Sequence, residues 1–95
     1  MAERAGPRFD LDRAWRLHSH VSIRPERFGA LLYHFDTRRL SFLKNQTLLT
    51  VVASLESQRS ARAACAAAGV TAEEMPAYAS ALAALATSAM ICERP

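Results

Sequence analysis

Three histidines are the side chains of this chain that most readily bind metals or move protons. His18 and His20 stand two residues apart, which places both imidazoles on one face of a β-strand, an arrangement that suits a transition metal. A zinc site needs at least three protein ligands, and no third ligand stands in a matching position. We therefore expect two solvated histidines and no metal. His34 lies in an apolar segment and is expected to be a hydrogen-bonded residue of the core or of a hairpin.

The two cysteines, Cys65 and Cys92, show neither a C-x-x-C pattern nor paired metal-ligand spacing. Cys65 lies among alanines and is expected to be a small buried side chain. Free thiols are typical of a reducing compartment, so we expect a cytoplasmic protein. No Ser-His-Asp or Cys-His arrangement is visible, and the three glycines are isolated, which argues against a phosphate-binding loop. The sequence therefore predicts a protein that is not an enzyme.

Length and composition indicate one small folded domain. Of the 95 residues, 51% are hydrophobic and 22% are charged, which is typical of a globular chain with little room for a deep catalytic pocket. The first residues contain no apolar stretch of the kind found in secretory signals. Residues 75–92 carry no charge, but most of them are alanine or polar, so we expect no membrane span.

The net charge of +3 is unevenly distributed. Residues 1–44 contain nine Lys or Arg against five Asp or Glu, whereas residues 45–95 contain three against four. Fourteen of the 19 alanines lie between Ala61 and Ala89. The chain thus divides into a basic half with strand character and an alanine-rich helical half. A basic half suits a nucleic acid or an acidic peptide as partner.

The first half predicts three β-strands. From Trp15 the apolar residues occupy alternate positions until Pro25 stops the pattern, which indicates a strand with one apolar face. Residues 28–35 form a nearly continuous apolar run, and a turn at residues 36–38 leads into a third strand over residues 39–43. The short connection predicts an antiparallel hairpin. Because no strand follows, the third strand is a candidate free edge of the sheet.

The second half begins with two short helices. Asn45 is a suitable N-cap for the first helix, in which apolar residues recur at helical spacing up to Leu55. Ser60 is expected to cap a second helix over residues 61–68, and Gly69 to end that helix.

A third helix is expected to open with a capping box at residues 71–74 and to end near Ser88. Pro76 fits if the regular helix begins close to it. Because Gly69-Val70 joins the second and third helices, the pair resembles a helix-turn-helix beside a strand wing. We therefore predict an α+β, winged-helix-like fold, with a three-stranded antiparallel sheet followed by three helices.

DNA binding is one alternative that this fold raises, because winged helices read the major groove with the second helix of the helix-turn-helix. That helix normally carries basic or amide side chains. Here residues 71–92 contain no Lys or Arg, and Glu73 and Glu74 stand near their start. DNA recognition is therefore disfavoured, although the pI of about 9.4 keeps it open.

Self-association is a weaker alternative, through small residues of the third helix that are expected to be exposed: Ala79, Ala83 and Ala86. Peptide binding is stronger, because a free strand edge offers unpaired backbone groups to which an extended segment can add. The third helix would line an apolar groove beside that edge with Tyr78, Leu82 and Leu85. Basic residues near the strand would favour an acidic peptide. The same pattern also describes ordinary core packing, which the residues alone favour.

Two longer runs of sequence resemble a known family. The run WRLHSHVSIRPE at residues 15–26, followed by FGALLYH at residues 28–34, resembles the PqqD-like peptide chaperones. The run RRLSFLKN at residues 38–45 narrows the resemblance to the chaperones of mycofactocin biosynthesis. The resemblance covers residues 14–92, which we expect to form a peptide-binding domain after a polar N-terminal tail at residues 1–13.

The resemblance implies a RiPP recognition element without catalytic activity of its own. Such a protein binds the leader of a ribosomally made precursor peptide and presents it to a radical SAM maturase. The maturase modifies the C-terminal Val-Tyr of the precursor, and the product matures into a redox cofactor. Iron–sulfur clusters and S-adenosylmethionine would belong to the maturase, so no cofactor, nucleic acid or membrane is expected for this chain.

The resemblance also implies where the leader binds. In this family the leader adds as a strand against the third predicted strand, in the cleft beside the third helix. Carried onto this chain, the candidate peptide-binding residues are Arg38, Arg39, Leu40, Ser41, Phe42, Leu43 and Lys44 on the strand side, and Met75, Tyr78, Leu82 and Leu85 on the helix side.

Overall fold

The computed structural model describes residues 9–95. Within that range, five β-strands, three α-helices and one 3₁₀ turn follow one another. They are β1 (Trp15–Leu17), β2 (Val21–Pro25), β3 (Ala30–His34), β4 (Leu40–Leu43), α1 (Gln46–Ser54), the 3₁₀ turn (Leu55–Ser57), α2 (Ala61–Ala67), α3 (Met75–Thr87) and β5 (Ile91–Glu93).

The main sheet is antiparallel, with the strand order β2-β3-β4. Glu26 and Gly29 exchange backbone hydrogen bonds of 3.0 and 3.2 Å and close a tight turn between β2 and β3. The turn between β3 and β4 is closed by the N–H of His34, which donates to the carbonyl of Arg39 at 3.0 Å. Arg38 in this turn has φ 63, a left-handed conformation that favours glycine. The predicted hairpin and the three-stranded antiparallel sheet are confirmed.

The first predicted strand is wrong in its length, because the structure divides it into β1 and β2. Between them, Nδ1 of His18 accepts the N–H of His20 at 2.9 Å, and the carbonyl of His18 accepts the N–H of Val21 at 3.0 Å. After this turn the chain changes partner, and β1 pairs with β5 in a separate two-stranded sheet, with Trp15 opposite Glu93. The alternation of apolar residues continues in phase across the turn, so periodicity does not reveal the break.

The helix boundaries follow the predicted caps. Oδ1 of Asn45 accepts the N–H of Leu48 at 2.7 Å and so begins α1, and Oγ of Ser60 accepts the N–H of Ala63 at 3.0 Å and begins α2. Gly69 follows α2 with φ +90, in the left-handed conformation expected after a helix.

The start of α3 also matches its prediction. Thr71 and Glu74 bond reciprocally, with Oε1 of Glu74 accepting the N–H of Thr71 at 3.0 Å and Oγ1 of Thr71 accepting the N–H of Glu74 at 3.2 Å. This capping box forms a turn before the helix, and Pro76 then lies in the first turn of α3. At the other end Ala89 has φ 62, and this left-handed residue directs the chain into β5.

The core lies between one face of the main sheet and the helices, and both sheets contribute to it. Its largest fully buried side chains are Trp15, Leu32, Leu43, Leu55, Leu82, Met90, Ile91, Val51, Val52 and Cys65.

Of the tail predicted over residues 1–13, residues 1–8 lie outside the described part of the chain. Phe9 and Leu11 pack against the core, and the ring of Phe9 lies 4.8 Å from that of Trp15. The indole N–H of Trp15 donates to the carbonyl of Asp10 at 2.8 Å. Residues 9–13 therefore contact the folded domain.

The α+β class and the three helices are confirmed, and the winged-helix comparison stays a prediction. None of the helices in residues 9–95 combines the length and the apolar character that crossing a bilayer requires.

Candidate functional site

The outer edge of β4 is open, since no other strand in residues 9–95 pairs with it. Bonded and non-bonded residue pairs alternate along an antiparallel ladder. His34 and Arg39 form a bonded pair. Two residues further along each strand, Leu32 and Ser41 therefore form the next bonded pair. The backbone groups of Ser41 therefore point towards β3. Those of Leu40 and Phe42 point away from the sheet, where they are free to pair with another strand.

A groove of about 560 Å³ lies between this edge and α3. Ser41, Phe42, Leu43, Lys44, Asn45 and Leu48 line it on one side, and Ala77, Tyr78, Ser80, Ala81, Ala84 and Leu85 line it on the other. The alanine side chains of α3 are too short to fill the space between the helix and the strand. The hydroxyl of Tyr78 donates to Oδ1 of Asn45 at 3.4 Å across the groove and ties the helix to the N-cap of α1.

The groove brings together six of the eleven predicted site residues: Ser41, Phe42, Leu43, Lys44, Tyr78 and Leu85. Three others, Arg38, Arg39 and Leu40, lie outside the groove at the hairpin end of β4, where all three are exposed. Met75 is half-buried and packs against the core. Leu82 is fully buried, with 0% of its surface exposed. No surface of Leu82 is therefore available to a ligand in this structure.

Helical periodicity identified the buried stripe of α3, whereas the groove is lined by the neighbouring stripe. Ala77, Ala81 and Ala84 belong to that second stripe and were not predicted. The signal that points to them is the small size of the residues on a helix facing an open strand. The expected exposure of Ala86, which motivated self-association, is wrong, because Ala86 is 2% exposed and belongs to the core.

Basic side chains flank the groove. Arg38 and Arg39 lie at one end of β4 and Lys44 at the other, and all three are exposed. Within residues 9–95 the ion pairs join other groups: Arg13 with Glu93, His20 with Asp36, Arg24 with Glu26, and Arg62 with Asp12. The potential along β4 is therefore positive, which favours a negatively charged partner.

A cluster of histidines closes the hairpin end of the sheet. The structure brings His34 and Asp36 to His18, with potential ligand atoms within 4.8 Å of one another. This group of three does not include His20, so it is a different set from the predicted His18 and His20 pair. Nδ1 of His18 accepts the N–H of His20, and Nδ1 of His34 accepts that of Asp36 at 3.2 Å. Metal-bound histidines usually donate from their second nitrogen, whereas these two accept. The two histidines therefore stabilise their turns by accepting backbone hydrogen bonds, and they are not arranged as metal ligands.

Burial lowers the pKa of His18, and the neighbouring His34 lowers it further. The pKa of Asp36 is lowered chiefly by its hydrogen bond with His20, whose Nδ1 lies 2.7 Å from Oδ2 of Asp36. The cluster is therefore most stable with His18 neutral and Asp36 ionised.

A second cavity, of about 590 Å³, lies between residues 9–13 and α3. Its charged rim is internally neutralised, since Arg13 pairs with Glu93 at 2.6 Å and Arg62 with Asp12 at 2.7 Å. Because these charges are already paired, the groove beside β4 is the stronger candidate for binding a peptide.

The family model described as the peptide chaperone MftB family matches residues 14–92. Curated proteins named peptide chaperone MftB are similar to the chain. The protein from Mycobacterium ulcerans is 59% identical over 87% of this chain and 76% of its own length, and that from Mycobacterium tuberculosis is 55% identical over 90% and 79%. The protein from Mycolicibacterium smegmatis is 54% identical over 87% and 81%. No solved structure gives a significant match.

Proposed function

This chain belongs to the peptide chaperone MftB family, and from that premise we propose that it binds the leader of a ribosomally made precursor peptide and presents it to a radical SAM maturase. The resemblance to the chaperones of mycofactocin biosynthesis is confirmed at the level of the family. Its members are named as peptide chaperones, a non-catalytic role, so the protein is not an enzyme.

Strand addition is the proposed mode of binding. The outward backbone groups of Leu40 and Phe42 support it, because each supplies one N–H and one C=O to an incoming strand. A leader strand beside β4 would extend the main sheet from three strands to four. Arg38 and Arg39 would then lie near one end of the leader strand, and Lys44 near its other end.

The groove supplies specificity in this proposal. Side chains alternate between the two faces of a strand, so every second leader residue would point into the space between β4 and α3. Apolar side chains fit there, because Leu48 and Leu85 form the buried floor and the alanines of α3 form one wall. The leader residues between them would point to the opposite face of the sheet.

Charge favours an acidic leader. The exposed arginines and Lys44 are partners for carboxylates, and such exposed pairs are weakened by salt. The leader affinity is therefore expected to fall as the salt concentration rises, whereas the apolar contacts in the groove persist.

Presentation requires no bond chemistry by the chaperone. Holding the leader raises the effective concentration of the precursor's C-terminus at the active site of the bound maturase. The clusters and S-adenosylmethionine belong to that enzyme, and both proteins would act in the cytoplasm. The domain at residues 14–92 would carry the whole binding function.

The open edge of β4 beside a preformed groove is the observation that carries this proposal. Calorimetric titration of the full chain with the precursor's leader tests it. We expect saturable binding with a stoichiometry near one, and a weaker affinity at higher salt. A scrambled leader of the same composition is the matched control. Absence of heat and of any spectral shift at high leader concentration would refute leader binding.

The DNA-binding alternative rests on the predicted winged-helix fold and on the basic composition. The α3 helix carries no Lys or Arg, so a DNA-reading helix at this position would offer no positive charge to the phosphates. A salt-sensitive shift of duplex DNA by the full chain would revive this alternative, and no shift at low salt would remove it.

A further inference from the structure

The face of the main sheet that points away from the helices is apolar and exposed. Phe28, Phe35, Leu40 and Phe42 are 47%, 56%, 58% and 62% exposed, and they are the large hydrophobic residues of the described chain that remain exposed. We call these four residues, together with Tyr33, the aromatic face.

Contacts join the members of the aromatic face into one surface. The rings of Phe28 and Phe42 lie 6.4 Å apart, and those of Tyr33 and Phe35 lie 5.4 Å apart in an edge-to-face arrangement. Tyr33 stands opposite Leu40 in the register of β3 and β4, and Leu40 shares a face of β4 with Phe42, so the two ring pairs adjoin. Exposed aromatic clusters of this kind mark interaction sites.

The aromatic face is separate from the core. Along β3 and β4 the buried apolar residues are Ala30, Leu32 and Leu43, which point towards the helices. Tyr33 and Leu40 have the opposite parity and so point away from them. Residues 9–95 leave the aromatic face uncovered, so a partner is needed to bury it against them.

Arginines surround this face. Arg27 precedes Phe28, and Arg38 and Arg39 precede Leu40; all three are exposed. The nearby acids are already paired, Glu26 with Arg24 at 2.8 Å and Asp36 with His20 at 2.7 Å. A matching partner surface is therefore apolar at its centre and acidic at its rim.

We propose that the aromatic face is the surface on which the maturase docks, through an apolar patch with an acidic rim. This inference rests on the proposed function, which requires an enzyme to receive the peptide. A second copy of the chain is the poorer occupant, because a symmetric contact would bring the arginines of the two copies together.

The position of the aromatic face also couples leader binding to maturase binding. A leader strand beside β4 places its outward side chains next to Leu40 and Phe42, so the enzyme meets a surface built from both chaperone and peptide. Each partner then strengthens the binding of the other by the same factor.

The test measures two affinities on the same variants, for the leader and for the purified radical SAM maturase. Phe35→Ser and Phe28→Ser remove apolar surface outside the leader groove. Phe35→Tyr keeps the ring and serves as the conservative control. Arg27→Glu reverses a charge at the rim, and Arg59→Glu makes the same change at an exposed position in the loop before α2.

We expect each serine variant and Arg27→Glu to weaken maturase binding about tenfold or more, whereas leader affinity changes less than about twofold. Phe35→Tyr and Arg59→Glu should bind the maturase like the unmodified chain. Unchanged maturase affinity in both serine variants would overturn the proposal.

Two other outcomes would reassign the aromatic face. Loss of binding to vesicles of phosphatidylcholine and phosphatidylglycerol in the serine variants, with maturase binding intact, would assign it to a membrane. Dissociation of a dimer by the same changes would assign it to self-association. A separate titration measures leader binding by the unmodified chain. Failure to bind there would instead contradict the proposed function.

Discussion

Proline substitutions along β4 distinguish the two edges of this strand. The N–H of Ser41 points towards Leu32 on β3, whereas the N–H of Phe42 points away from the sheet. Proline has no N–H to donate. Ser41→Pro should therefore damage the fold, and Phe42→Pro should damage leader binding.

The expected magnitudes follow from these bonds. Ser41→Pro removes a ladder bond and leaves the carbonyl of Leu32 unpartnered, which costs about 1–3 kcal/mol of unfolding free energy. A domain of this size loses about 4–8 °C of melting temperature per kcal/mol. Phe42→Pro breaks no internal ladder bond but removes one bond to the leader and places a ring against it, which should weaken binding about tenfold or more.

Thermal unfolding and calorimetric titration are measured on both variants, with Phe42→Ala as the control for the lost aromatic ring. Phe42→Pro should melt like Phe42→Ala and bind the leader more weakly than that control. The reasoning is refuted if Ser41→Pro keeps its melting temperature and loses leader binding, or if Phe42→Pro binds like Phe42→Ala.

Four further changes test other parts of the structure. Ala81→Leu fills the groove from α3 and should abolish leader binding in a titration while the melting temperature changes little; unaltered binding would contradict the groove. A Cβ at Gly29 would lie 2.1 Å from the carbonyl oxygen of Leu43, so Gly29→Ala should lower the melting temperature and weaken leader binding, and normal behaviour in both assays would contradict this close approach. Ala89→Gly relieves a left-handed alanine and should stabilise the fold by about 1 kcal/mol in denaturant unfolding; destabilisation would contradict the φ assignment. Because burial lowers the pKa of His18 in the fold, the unfolded chain binds the proton more readily, so stability should fall as the pH drops below about 6.5. His18→Gln should reduce that slope in pH-dependent melting, and an unchanged slope would assign it to other groups.

Local signals predicted most of the helical half. Asn45, Ser60 and Gly69 act through bonds or backbone conformations within a few residues, and the structure has each of them in its expected place. Pro76 likewise restricts only its own helical turn. Such features depend on neighbouring residues, so a single sequence contains enough information to locate them.

Pairing between strands that are distant in the sequence is harder to predict. The three residues of β5 pair with β1 across almost the whole chain, and a three-residue strand has too little periodicity to be recognised. The turn at His18 depends on one bond from a ring nitrogen to a backbone N–H. Neither the alternation of apolar residues nor the composition predicts that bond.

A groove does lie between β4 and α3, but the face of α3 that lines it differs from the predicted one. Apolar spacing selects Leu82, because the strongest periodic signal marks the residues that pack in the core. Ala81 and Ala84 face the open strand, and their contribution is the space that they leave. The sequence pattern cannot reveal this space, because it exists only when the helix and the strand are packed beside each other.

Hydrogen exchange of the β4 amides, with and without the leader, tests strand addition most directly. The amides of Leu40 and Phe42 point away from the sheet, and that of Ser41 points towards β3. We predict that leader binding slows exchange at Leu40 and Phe42, whereas Ser41 is protected in both states. Equal exchange at Leu40 and Phe42 with and without saturating leader would contradict binding along this edge.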